Sequence, residues 1–256
     1  EQSGNWTTSY QYWIEDTVTV PEGETLTIDA GVRVKFLEGA GMVCYGTLQA
    51  NGTEDEHVLF TSKHPTPLPG DWDNIELYGE NNVISYVDYE FATDGFSGDG
   101  ASGSTFDHLM MVGSLSLTAN GIYLPNSPNS SFTNNTITVA GDYGIFADNS
   151  SSSVFNFNTI NGPSRAIWSQ YSGESQFHGN STISSEYGIR AYDCINCSIN
   201  DNDINSANGT TGPSSGISSP NSPGISLDNN TIVADHKGIY VDNSANATIT
   251  NNHITL

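Results

Sequence analysis

The sequence predicts an all-β chain wound as a parallel solenoid of about nine or ten coils of about 22 residues, and three observations predict it. The first is a Gly-Ile step that recurs at Gly121-Ile122, Gly144-Ile145, Ala166-Ile167, Gly188-Ile189, Gly216-Ile217 and Gly238-Ile239. The second is a pair of large apolar columns at fixed offsets from each isoleucine. One reads Phe132, Phe155, Phe177, Ile199, Leu227, Ile249, and the other Ile137, Ile160, Ile183, Ile204, Ile232, Ile254, one place late only at Ile183. The third is an asparagine thirteen residues after every isoleucine: Asn135, Asn158, Asn180, Asn202, Asn230 and Asn252.

Short β-branched and aromatic runs broken by Gly, Asn, Ser and Pro give several brief strands per coil. No copy buries its apolar face alone, so each isoleucine stacks on its counterpart in the next coil, about 4.8 Å away. Strands therefore pair between coils and run parallel. Helical repeats need apolar residues at i, i+3 and i+4 over a dozen residues, which the Ser/Asn/Gly-rich segments never supply.

The asparagine column reads as a structural corner ladder, because Asn tolerates the left-handed conformation and its amide can donate and accept along a stack. A serine column five residues after the isoleucine (Ser127, Ser150, Ser172, Ser222, Ser244) reads as a stacked turn, with Cys194 in place of serine in one coil. In the N-terminal half, alternation predicts strands at 17–20, 26–28, 32–36 and 42–45 and puts Val32, Val34 and Phe36 on one face. Phe96, Phe106 and Met111 repeat the later spacing more loosely. Residues 1–13, with Trp6, Tyr10, Tyr12 and Trp13, match no coil and read as a cap or arm. Residues 14–256 form a single domain, with the regular repeats at 119–256.

Six Lys plus Arg against 29 Asp plus Glu give a net charge of -23. That balance argues against nucleic acid and anionic membrane surfaces as partners, since both need basic residues. No membrane-spanning run is present, and Glu1 to Tyr12 lacks the basic start and apolar core of a signal peptide, as expected of a mature or trimmed exported chain. Of three cysteines, Cys194 and Cys197 share one turn, where a local disulfide, buried thiols or metal chemistry are all open; Cys44 reads as a core residue. Glycosylation sequons stand at Asn5, Asn51, Asn129, Asn134, Asn149, Asn196, Asn208, Asn229 and Asn246, and a further one at Asn180 falls in the corner ladder.

Gly-Ile-Tyr-Leu at 121–124, Asn-Asn-Thr-Ile at 134–137 and 229–232, and Gly-Ile-Tyr-Val at 238–241 carry a family resemblance, as does the opening Val20-Pro21-Glu22-Gly23-Glu24-Thr25-Leu26-Thr27-Ile28. On these motifs the chain resembles the right-handed parallel β-helix proteins of the pectate-lyase-like superfamily, in particular repeat-rich surface proteins of archaea and bacteria. The resemblance implies an extracellular or cell-surface structural, adhesive or glycan-contacting module, or alternatively a polysaccharide lyase, hydrolase or epimerase. The hydrolases' Asn-Thr-Asp, Asp-Asp and Gly-His-Gly motifs are missing, so the reading inclines against catalysis and assigns no catalytic residue. Arg165 and Arg190 fall on neighbouring coils near Asp142, Asp148, Glu174, Glu186 and Asp193, a cluster that an acidic chain produces without function. The Asp94–Asp99 loop has oxygen ligands for calcium, but not EF-hand spacing; no other cofactor is expected.

One column is less routine. The residue after each repeat isoleucine points outward by alternation and reads Tyr123, Phe146, Trp168, Arg190, Ser218, Tyr240. An exposed aromatic stripe is a platform for a sugar ring or a partner surface. Because Ile254 and Leu256 face inward in the last repeat with nothing stacked beyond them, end-to-end self-association or a longer parent protein is also expected.

Overall fold

The computed structural model describes residues 2–112, 116, 118–207 and 214–256. Every strand pairing in it is parallel and joins one coil to the next, and the strands fall into one 20-stranded and one 10-stranded sheet. The result is a β-solenoid of about 11 turns without a helix among the described residues. Among the described residues no helix is long and apolar enough to cross a membrane.

Each regular coil contributes three strands. The Gly-Ile step lies on the 10-stranded sheet, where Ile122, Ile145, Ile167, Ile189, Ile217 and Ile239 stack in register. The other two strands, such as Ser131–Thr133 and Thr136–Thr138, lie on the large sheet and meet at a sharp corner. Inside, Phe106, Phe132, Phe155 and Phe177 stack face to face with centroids 5.5, 5.1 and 4.7 Å apart. Each such buried side chain contributes about 1.5–3 kcal/mol, so ladders replace the compact core that a single coil cannot build.

The asparagine ladder is buried and continuous. Asn135 Nδ2 donates to Asn158 Oδ1 at 2.9 Å, and the same bond repeats from Asn158 to Asn180, Asn180 to Asn202, Asn202 to Asn230 and Asn230 to Asn252. Each amide also donates to a carbonyl of an earlier coil, as Asn180 does to Phe155 at 2.7 Å. The left-handed residue is not the ladder asparagine, as expected above, but its predecessor: Asn134, Phe157, Gly179, Asp201, Asn229 and Asn251 have φ between 53° and 64°. The corner turns first, and the ladder side chain then points into the core.

Two further expectations change. Ile183 is not a late core residue: Thr182 pairs with Ile160 in the core column, while Ile183 pairs with Asn161 and is 43 % exposed. Period-two alternation fixed by the neighbouring coils overrides the hydrophobicity of one side chain. Residues 1–13 also carry a coil of their own. Gly4–Trp6 pairs with Leu26–Ile28 and Tyr12–Ile14 with Val34–Phe36, and Trp6 is buried over the first apolar cross-section. That coil raises the turn count above the expected nine or ten.

Cys194 and Cys197 are joined as a disulfide. They replace Ser172 and Ser175 of the preceding coil, where Ser172 Oγ accepts from Ser150 N at 2.9 Å and Ser175 Oγ from Ser153 N at 3.2 Å. A covalent link thus stands where two hydroxyl ladders would run. Cys44 is buried, and desolvation pushes its thiol pKa up.

Candidate functional site

The outward side chains of the 10-stranded sheet form the most distinctive surface. Strand register sets Tyr123, Phe146, Trp168, Arg190, Ser218 and Tyr240 side by side on successive coils. Three residues earlier on the same strands a second column reads Tyr143, Arg165, Tyr187, Ser215, Lys237. Interleaving makes a lattice of rings and cations. Tyr123 stacks on Phe146 at 4.4 Å, and Tyr143 meets Phe146 edge-on at 4.8 Å. Arg190 lies 4.5 Å over Trp168 and 5.1 Å over Tyr187, and Arg165 lies 5.2 Å from Trp168 and 5.4 Å from Tyr143. Phe146 is only 8 % exposed, because its neighbours cover it; the open rings of the stripe are Tyr123 and the partly exposed Trp168 and Tyr240.

The charges on this face are unequal. Arg165 is committed to carboxylates, 2.8 Å from Glu186 and 3.6 Å from Asp142. Arg190 has no carboxylate within ion-pair distance among the described residues and is held by ring faces alone. The Nε1 of Trp168, the Nε of both arginines and Oδ1 of Asp148 are shielded from solvent without a hydrogen-bond partner. Burial raises the Tyr143 pKa, with the Arg165 charge acting against it, so this phenol stays protonated at neutral pH. The face therefore offers donors beside flat apolar surface, with the Glu186 and Asp142 carboxylates turned to Arg165. Asp148 is the only other member of the expected carboxylate cluster with an orphaned atom; Glu174 and Asp193 take no part in these contacts.

Other sequence-derived candidates lie elsewhere. The sequon asparagines 5, 51, 129, 134, 149, 196, 229 and 246 are exposed, Asn180 is fully buried, and Asn208 lies outside the described residues. Six of the exposed ones, Asn129, Asn134, Asn149, Asn196, Asn229 and Asn246, hold left-handed corners, with the turn or ladder residue next and a strand Ser or Thr after it in most. Corner chemistry by itself generates the sequon pattern. In the loop considered for calcium, Asp94 accepts from the amides of Gly95 and Asn120, whereas Asp99 accepts from Asn126 Nδ2 at 2.7 Å. Sequence reasoning missed Ser62, His64 and Asp71. Ser62 Oγ donates to Asp71 at 2.8 Å but accepts from the backbone of His64, whose ring faces Thr66, so the trio is not a nucleophilic relay.

The fold and this surface define a parallel β-helix protein with an aromatic and cationic outer face. Residues 78–256 match the family described as periplasmic copper-binding protein (NosD), and the chain belongs to that family. Residues 2–103 match the pectate-lyase like beta helix domain. A search of curated proteins found no match. Among solved structures, the chain is similar to the mannuronan C-5 epimerase AlgE6 A-module of Azotobacter vinelandii, at 13 % identity over 99 % of this chain and 91 % of that one with TM-score 0.55. It is similar to the periplasmic alginate epimerase AlgG, at 13 % identity over 94 % and 77 % with TM-score 0.52. Similarity also extends to the Dettilon tailspike protein, at 15 % identity over 93 % of this chain and 61 % of that one with TM-score 0.54. At such identities the likeness is one of fold.

The copper in the family's description finds no donor set here. Among the described residues no three His, Cys, Asp or Glu side chains come together. His57, His108 and His178 each sit against a separate aspartate. Two cysteines are spent in the disulfide, and Cys44, Met42 and Met111 are buried in the core. Copper sites gather soft sulfur or several imidazoles at one point, and these residues do not fit one.

Proposed function

We propose that this chain is a glycan-contacting β-helix module working outside the cytoplasm, with a saccharide lying across Tyr123, Trp168 and Arg190. The observation that carries the reading is Arg190: a cation in a chain of net charge -23 that is stacked on rings rather than paired with acid. Sugar rings pack on aromatic faces, and a guanidinium beside them binds hydroxyl or carboxylate oxygens. Support comes from the structural similarity to the mannuronan and alginate epimerases and to the Dettilon tailspike protein. The disulfide and the family's periplasmic description support a location beyond the reducing cytoplasm.

A carbohydrate-active enzyme is the second reading, favoured by Tyr143 beside Arg165 on the same face. Its weakness is that the raised Tyr143 pKa keeps this phenol protonated, so that Tyr143 itself is no ready base. One experiment separates the two. The chain and its Trp168→Ala and Arg165→Ala variants are incubated with acidic and neutral polysaccharides, scoring retention and released chain ends. The module reading expects binding that Trp168→Ala weakens at least tenfold, about 1.4 kcal/mol, with no new ends. Release of ends that Arg165→Ala abolishes would establish the enzyme, and undiminished binding by Trp168→Ala would remove the stripe from the site.

A further inference from the structure

The remaining three cations of the chain also gather, on the other sheet and at the opposite end of the solenoid. Trp13 pairs in register with Lys35, and Lys35 with Thr61, so these side chains form one column on the outer face of coils one to three. Arg33 lies two residues before Lys35 and shares its face. Lys63 places its ammonium 4.0 Å over the Trp13 ring. Among the described residues, none of Arg33, Lys35 and Lys63 comes within ion-pair distance of a carboxylate, although the chain carries 29 of them.

A cleft of about 240 Å³ opens at this point, lined by Thr8, Tyr10, Gln11, Trp13, Arg33 and Lys35 among others. Its rim is built rather than loose. The Thr7 amide donates to Tyr12 Oη at 2.8 Å, and the Tyr12 ring stacks on buried Trp6 at 4.5 Å, which braces the loop carrying Thr8, Tyr10 and Gln11. Gly31 turns the chain beside this loop at a φ of 75°, a left-handed conformation that favours glycine. Tyr10 and Trp13 remain 73 % and 54 % exposed, unusual for such large rings on a monomer surface.

We propose that this cleft is a second binding site, independent of the stripe, for an anionic pyranose: a single sugar ring bearing a carboxylate or a phosphate. The volume suits one ring rather than a bulkier ligand. The rings of Tyr10 and Trp13 supply apolar contact, Thr8 and Gln11 meet hydroxyls, and Arg33 with Lys35 neutralises the acid group. The charge of the whole chain repels anions, so a local excess of unpaired cations is what an anion site on this protein requires.

The test uses the full chain, titrated calorimetrically with a hexuronate disaccharide, a hexose 6-phosphate, a neutral disaccharide and inorganic phosphate. At least one of the two acid-bearing sugars binds, with affinity that falls as salt rises, and the double variant Arg33→Gln/Lys35→Gln weakens it at least tenfold. Arg33 is exposed and Lys35 only half-buried, and an unchanged melting curve checks that the variant folds. Whether the carboxylate or the phosphate arm binds more tightly identifies the source of the ligand; either supports the site. Inorganic phosphate binding as tightly as both sugars, or unaltered sugar affinity in the double variant, would overturn it. If instead Trp168→Ala abolishes binding and the double variant does not, the ligand sits on the stripe: this proposal fails and the first reading stands.

Discussion

The corner between the two strands of the large sheet is made differently in the two halves of the molecule. From coil six onward it is a single left-handed residue followed by a ladder asparagine. In coils one to three it is a loop, at residues 7–11, 30–32 and 52–57, and in the next two coils single seven-residue strands, Val83–Tyr89 and Thr105–Met111, run through it with Tyr86 and His108 left-handed. A uniform corner lets every buried polar group find its partner one coil away, but it leaves no recess. Loops forgo the ladder and make the cleft at Arg33 and Lys35 possible.

The sharpest way to break the comparison is to remove one rung. Asn180→Ala strips the acceptor from Asn158 N and Nδ2 and the donor from the Phe155 carbonyl, all in the core. Buried groups left unpaired cost about 1–3 kcal/mol each, so a loss of about 3 kcal/mol is expected in urea unfolding. Asn51→Ala, on the exposed corner of coil three, is expected to change stability by less than about 0.5 kcal/mol. Equal effects would mean that the ladder is ornamental.

A second test concerns the glycine column. A Cβ on Gly188 would run into the Ile204 methyl, and the same conflict recurs at Gly144 with Ile160 and at Gly216 with Ile232. The one coil with alanine in that column, at Ala166, has Thr182 sixteen residues on, where the others have isoleucine. Gly188→Ala is expected to cost about 2 kcal/mol, as overpacking does, and adding Ile204→Thr, the pairing that Ala166 and Thr182 already show, to recover part of it in thermal melts, since the contact with the Gly216 carbonyl remains. A Cβ on each of these glycines also approaches a backbone carbonyl of the next coil, whereas on Gly79, in the irregular half, its three nearest neighbours are all backbone atoms of Tyr45 and Gly46.

The smallest effect is acid sensitivity at the junction of the halves. Burial acts to raise the Asp107 pKa, but hydrogen bonds from Asn134, His108 and Thr133 outweigh it, and the net shift is downward from 3.8. A lowered folded pKa gives stability that is present above the unfolded value and lost as pH falls through the folded one. Asp107→Asn should therefore flatten the stability curve below about pH 4 and leave its shape near pH 7 unchanged. A wild-type curve already flat in that range would contradict this.

The columns of the regular half were legible in sequence because each inward position repeats at 22 or 23 residues, and once at 28, and the outward stripe followed from alternation alone. Thr182 and Ile183 were misjudged because hydrophobicity was weighed locally, whereas register is imposed by Ile160 and Ile204 on either side. The first coil escaped notice although Trp6 and Ile14 stand 22 residues before Ile28 and Phe36, because the polar residues around them match none of the later motifs, and pairing with the next coil reveals them. Likewise the cleft joins Tyr10, Trp13, Arg33 and Lys35 across two coils. Its available signal was the scarcity of cations together with the 22-residue step from Trp13 to Lys35.

The asparagine ladder also gives the axis an electrical direction. Backbone bonds run both ways along it: Leu124 N donates forward to Phe146 O, while Ser131 N donates back to Ser104 O, so their dipoles largely cancel. The side-chain amides do not alternate. From Asn135 to Asn230 each Nδ2 points to the following coil and each Oδ1 to the preceding one, and Leu109 N feeds the first oxygen in the row. Aligned amides polarise one another, so an inner rung strengthens bonds on both sides of it and an end rung on one. The stack is a short polar column with its positive, donor end at the half-exposed Asn252, running along one edge of an otherwise anionic rod.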